Sequence, residues 1–246
     1  MPLVAGCWVF QIASLAAIGV WAFVDCRFDE LVNFARASLL SSTPPSPASA
    51  AELALRVWIL RFVAAAVVLS FFGVIAGLAF GSRSQRRIFA WLALTTIVAG
   101  WLTLAVSWRD IAWRGQQWRL ARQIETFAPL AELLHKNWPT KDGELTNLGA
   151  FMAYPHDSPR MLMIIARPSN VAFARCVSVE RSTEGAIRFE LSDGEDGAWL
   201  EWHPACDEPA SFQGGLETDY QLDKSAHLGD CWFATRYRAG LPAREL

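Results

Sequence analysis

The residues of this chain best suited to chemistry are His203, Cys206, His227 and Cys231, spaced as His-x2-Cys, 20 intervening residues, then His-x3-Cys. Two imidazole nitrogens and two thiolates can complete a tetrahedral zinc site, and zinc is the one cofactor the sequence offers. Because the order of ligand types departs from that of a zinc finger, the spacing competes with two simpler readings. In the preferred one, Cys206 and Cys231 form a disulfide and the histidines lie beside turns; in the other, the thiols are free and buried. Location chooses between them. In an oxidising compartment Cys26, Cys176, Cys206 and Cys231 all become eligible for pairing.

A second grouping, Tyr154-Pro155-His156-Asp157-Ser158-Pro159-Arg160, places an imidazole, a carboxylate and a hydroxyl side by side. Catalytic triads are assembled in space rather than along the chain, so this stretch reads as a proline-bounded connector. His135, near a helix end, reads as a partner of the helix dipole. Trp199 and Trp202, with Trp232, Tyr220 and Tyr237, make the last third of the chain aromatic. A strand places Trp199 and Trp202 on opposite faces, which leaves one of the two available as an exposed aromatic for a ligand or partner. The sequence contains no nucleophile elbow and no phosphate-binding loop.

Three long apolar segments, 2–24, 62–80 and 88–108, stand before all of these residues. Each reaches the roughly 20 residues needed to cross about 30 Å of hydrocarbon. The first has Gln11 as its only strongly polar side chain; Arg61 sits just before the second, where it can reach the headgroups. The first lacks a basic n-region and a small-x-small cleavage site after Val24, so it is expected to be retained. Gly73, Gly77 and Gly81 repeat at a spacing of four, stacking bare positions on one helix face against which another helix of the same chain is expected to pack. Between the first two segments, a Ser/Pro-rich loop over 41–50 reads as an extended tether, preceded by a short amphipathic helix around 30–40.

Orientation rests on arginines. The short loop 81–87 holds Arg83, Arg86 and Arg87 without an acid, which suits a cytoplasmic position and puts the C-terminal domain outside. Arg27, Arg36, Arg56, Arg109, Arg114, Arg119 and Arg122 lie on the other side and oppose that assignment by number. The density of the short cluster favours the domain-outside arrangement.

From Arg109 onward the chain has 15 basic and 20 acidic residues, a soluble acidic composition with no footprint for nucleic acid. Only three of its 22 basic residues are lysines, as GC-rich bacterial codon usage would produce. Residues 109–138 read as amphipathic stalk helices interrupted at Pro129, and 139–246 as an antiparallel β domain. Its strands begin at Met161; Val171, Phe173, Val177 and Val179 share one face with Cys176 on the other, and a hairpin follows around 182–185.

The expected architecture is α+β: three transmembrane helices, one or two further helices, and a sheet of five or six antiparallel strands. The expected function is a membrane-anchored extracytoplasmic binding or assembly module of a bacterial inner membrane, with the lipid bilayer and other membrane or periplasmic proteins as partners. A membrane-bound hydrolase or metal-dependent enzyme using the His/Cys cluster is the alternative from another class. An accessory subunit of a transport or secretion complex is the third reading.

Overall fold

The computed structural model describes residues 2–40, 47–80, 88–146, 148–166, 173, 175–191 and 197–239. The chain forms two compact units, Met1–Gln116 and Gln117–Leu246.

The first unit is helical: α1 (Pro2–Val24), α2 (Phe28–Leu40), α3 (Pro47–Phe80) and most of α4 (Ile88–Ala121). Three stretches, Ala5–Val24, Ala54–Phe80 and Ile88–Ala121, are long and apolar enough to cross a membrane. Their outer surfaces leave Phe62, Phe80 and Val106 more than three-quarters exposed. A surface of that kind is suited to lipid. Two boundaries differ from the sequence reading. The second span starts at Ala54, so Arg61 lies within it. Helix α3 itself begins at Pro47, because proline fits the first helical position, where no N–H is needed. Of the expected tether, residues 41–46 lie outside the described residues.

Helix α4 is continuous through Trp108, so the third span and the expected stalk are one element. The chain breaks at Arg122–Gln123, where the Gln123 amide donates to the Leu120 carbonyl at 2.9 Å. Helix α5 (Ile124–Lys136) then contains Pro129 in its interior, where the sequence places an interruption. Proline removes one backbone bond, and the burial of Phe127, Leu130, Ala131 and Leu134 on the same face offsets that loss.

The second unit carries a nine-stranded antiparallel sheet in the order β1-β2-β3-β4-β5-β6-β9-β8-β7. The strands are β1 (Gly143–Leu145), β2 (Gly149–Tyr154), β3 (Met161–Ile164), β4 (Cys176–Arg181), β5 (Ile187–Leu191), β6 (Ala198–Trp202), β7 (Phe212–Gln213), β8 (Asp219–Gly229) and β9 (Trp232–Ala239). The expected five or six strands are therefore too few. Strands β1 and β7 are too short to show a period, and Gly-Ala-Phe-Met-Ala-Tyr in β2 lacks β-branched residues. Cys176 also changes face: a bulge between Cys176 and Ser178 turns it inward beside Val179 and leaves Val177 nearly half exposed.

The two faces of this sheet differ in chemistry. On one, Phe189 meets Phe127 of α5 with ring centroids 4.9 Å apart, and Phe127 meets Phe173 at 4.7 Å. Leu162, Val179, Ile187 and Leu200 complete this apolar core, all fully buried. The opposite face carries Glu180, Arg188, Glu201, Thr235 and Tyr237, which are also buried.

Candidate functional site: a polar cleft over the second face of the sheet

Alternation in β5 and β6 creates the polar face. Arg188 stands directly opposite Glu201 in the strand register, and Glu180 of β4 stands opposite Arg188. In this register Arg188 lies between two carboxylates. Among the described residues it bonds Glu201, its Nε donating to Oε2 at 3.1 Å. The same oxygen is 2.9 Å from His203 Nε2, while Oε1 accepts from the hydroxyls of Thr235 (2.5 Å) and Tyr237 (2.6 Å). All four lone-pair positions of the Glu201 carboxylate are occupied.

That occupancy explains why a fully buried carboxylate stays ionised. Burial works against the charge, but the His203 hydrogen bond, the Arg188 cation and the two hydroxyls outweigh it and hold Glu201 below the usual carboxylate range. Tyr237 is pushed the other way, first by burial and then by the Glu201 charge it faces. The hub is complete and closed to solvent, which suits it to fixing β5, β6 and β9 in register.

Glu180 is different. Its Oε1 accepts one backbone bond, from Gly215 at 3.3 Å. Burial raises its carboxyl to about 7, with Glu190 adding to the rise while the Gly215 amide and Arg188 oppose it. A buried acid that titrates near neutrality beside a cleft is a recognisable mark of a functional position.

The cleft exists because the turn between β7 and β8 folds back over the polar face. A Cβ on Gly215 would stand 2.5 Å from the Cβ of Met161 in β3, and one on Gly214 would stand 2.8 Å from Glu180 Oε1. Only bare backbone can approach that closely. Phe212 then lies over the Arg188 guanidinium, 4.0 Å from ring centroid to Cζ, and packs edge-on to Trp199 at 5.6 Å. Beneath this flap is a cavity of about 320 Å³ bounded by Arg160, Glu180, Arg181, Arg188, Phe212 and Gly215, among others. Arg160 is exposed at its edge, and among the described residues its guanidinium has no hydrogen-bond or ion-pair partner. Arg181 faces the ring of Trp138 at 6.0 Å.

The residues singled out from sequence fall elsewhere. Cys206 and Cys231 stand at disulfide distance, their Cα atoms 4.5 Å apart. Cys231 occupies the β8–β9 turn with Asp230; both have left-handed backbones, as a two-residue hairpin turn of the primed type requires. His203 Nε2 is directed at Glu201, and the His227 ring packs on Phe233 at 5.0 Å. Among the described residues no three His, Cys, Asp or Glu side chains form a metal-holding group. Cys176 is buried, and burial pushes its thiol pKa up. Trp199, expected as one of two possible exposed aromatics, is 1% exposed because the flap covers it, and Trp202 is half-buried against His135 at 5.3 Å. His135 itself bonds the Gly185 carbonyl at 3.0 Å rather than its own helix end. His156, Asp157 and Ser158 are exposed in their connector.

In the helical unit, a Cβ on Gly73 would lie 3.2 Å from the Cys7 sulfur of α1. Gly81 lies outside the described residues. Closer approaches occur on α4, where Gly100 admits Leu15 and Gly115 abuts the backbone of Phe23. Gln11 is 1% exposed and joins three helices, its Nε2 donating to Val67 O (2.8 Å) and Ser70 Oγ (2.7 Å) and its Oε1 accepting from Trp101 Nε1 (2.8 Å).

No family model, curated protein or solved structure matches this chain. The functional reading therefore rests on the geometry. Glu180, Arg188, Glu201 and the flap glycines were not singled out from the sequence, because strand alternation alone does not show that the charged face is covered as well. The available signal was three charged residues, Arg188, Glu190 and Glu201, inside consecutive strands, followed by Gly214-Gly215 after Phe212.

Proposed function

We propose that this protein is a membrane-anchored binding module of a bacterial inner membrane, its β domain outside the cytoplasm and its ligand held in the cleft over Glu180. The observation that carries the reading is the cleft: a cavity of about 320 Å³ under a glycine-hinged flap, with a buried acid and three arginines at its walls. That volume falls at the lower end of small-molecule sites, which combine apolar surface with a few placed polar groups. Glu201 and His203, by contrast, are closed within their own network and unsuited to reaching a substrate. Cys206 and Cys231 at disulfide distance support the oxidising side of the membrane, where such pairs persist.

Two measurements test this. Alkaline phosphatase joined after Ala239 should be active; an inactive fusion removes the extracytoplasmic placement. Full-length protein in detergent, screened by thermal unfolding against a library of small metabolites, should be stabilised by at least one compound. Gly215→Leu should abolish that stabilisation by forcing a side chain into Met161 and lifting the flap. A library without any stabiliser of the wild-type protein would remove the binding reading.

A further inference from the structure

Three of the chain's four methionines, Met152, Met161 and Met163, share one face of β2 and β3. Met152 and Met163 are register partners, and Met161 stands two residues before Met163 on the same side of its strand. The other side of these strands is the apolar one, filled by the buried Phe151, Ala153 and Leu162. Met152 and Met163 are only half-buried, so they are not filler for that core, and the Gly215 backbone of the flap lies against Met161. Carboxyl groups follow on the same face in the next two strands. Glu180 stands opposite Met161; Ser178 stands opposite Met163 and donates to the Glu190 carboxylate at 2.5 Å.

Opposed residues of an antiparallel pair hold their Cβ atoms about 5 Å apart. From that spacing, unbranched side chains with three rotatable bonds can bring their sulfurs to about 2.3 Å from a single ion. Thioethers are neutral, soft donors, which suit copper(I) and not the harder divalent cations. We infer that Met152, Met161 and Met163 form a site for a soft monovalent metal ion, copper(I) or silver(I), held by three thioether sulfurs. The Glu180 and Glu190 carboxyls on the same face add attraction for a cation. A thioether has no proton to displace, so binding persists at acid pH, where imidazoles and thiols are protonated. The site adjoins the cleft over Glu180 but does not depend on it, since none of the three methionines walls that cavity.

The test is titration of the full-length protein in detergent with silver(I), a redox-inert counterpart of copper(I), at pH 5 and with accessible thiols first blocked by N-ethylmaleimide. Met152→Leu and Met163→Leu should each weaken one equivalent of silver at least about 10-fold, while any silver on remaining thiols is common to all three proteins. Leucine nearly conserves the volume, so both variants should unfold at the wild-type temperature. A second measurement needs no variant: silver(I) should shield Met152 and Met163 of the wild-type protein from oxidation to the sulfoxide by hydrogen peroxide, read residue by residue by peptide mass spectrometry. Zinc(II) should give no such shielding. Silver binding equal in the wild type and both variants, or oxidation that silver does not slow, overturns the site. Equal shielding by zinc(II) overturns the assignment to a soft ion.

Discussion

Gln11 in the helical unit and Glu201 in the sheet unit are both buried polar hubs, 1% and 0% exposed, yet one is a neutral amide and the other a charge. Gln11 serves three partners, and none of them is ionised. Glu201 serves four, including a guanidinium. In hydrocarbon, an ionised group as deep in a span as Gln11 would cost several kcal/mol with no water to fall back on, so polarity at that position is limited to what hydrogen bonds alone can satisfy. Inside the sheet unit, a carboxylate can be retained if donors fill every acceptor position. The contrast predicts that removing the charge should damage its unit far more than removing the amide damages the other.

The largest effect is expected at Glu201→Gln. Glutamine can turn its oxygen to Arg188 and His203 and its NH2 to the hydroxyls of Thr235 and Tyr237, but the lost charge leaves the buried Arg188 guanidinium uncompensated and should cost about 3–5 kcal/mol of sheet-unit stability. Thermal unfolding of the full-length protein, followed by circular dichroism of the strands, measures it; a loss under about 1 kcal/mol would mean that the neighbours re-pair and the hub is dispensable.

Glu180→Gln should act in the opposite direction. The folded-state value of about 7 lies above the ordinary 4.5, so the folded protein holds this proton more tightly than the unfolded chain. Stability linked to the group is complete below about 4.5, falls as pH rises through 7, and is then fully lost. Glutamine mimics the neutral acid and can still accept from Gly215. The variant should therefore match the wild type near pH 4 and exceed it by on the order of 3 kcal/mol at pH 8. Denaturant titration at both pH values checks this, and an equal gap at both would remove the titrating role. Glu201, held low, adds the opposite slope, its contribution being lost as pH falls through its folded value.

Gly115→Leu should cost about 2 kcal/mol in the helical unit, since the new side chain meets the Phe23 backbone and α1 must move away. Gln11→Leu should cost only about 1 kcal/mol, the usual scale of interhelical hydrogen bonds. Both are read by dodecyl-sulfate titration of detergent-solubilised protein. A Gln11→Leu loss larger than that of Glu201→Gln would invert the comparison between the two hubs.

The spans were legible because lipid imposes a length and a polarity on any helix that crosses it, and segments 2–24 and 88–108 satisfy both without tertiary context. Strands β5 and β6 were legible by alternation. The bulge at Cys176 was not, because one inserted residue reverses the face of everything on one side of it. Strand β7 has two residues and no period at all. The Glu201 hub draws its members from β5, β6 and β9, and its neighbour His203 follows β6; only the strand register brings them together. His203, Cys206, His227 and Cys231 were close in type and spacing, but spacing cannot say that His203 turns toward a carboxylate and not toward a sulfur.

The Gln11 hub also sets a timetable. Its acceptors lie on α3 at Val67 and Ser70, and its indole donor, Trp101, follows it by 90 residues. At roughly 5–20 residues per second of synthesis, the Gln11 amide oxygen waits some seconds for its donor until α4 emerges. During that interval the growing chain carries a polar contact that is only part made, and the third span completes it.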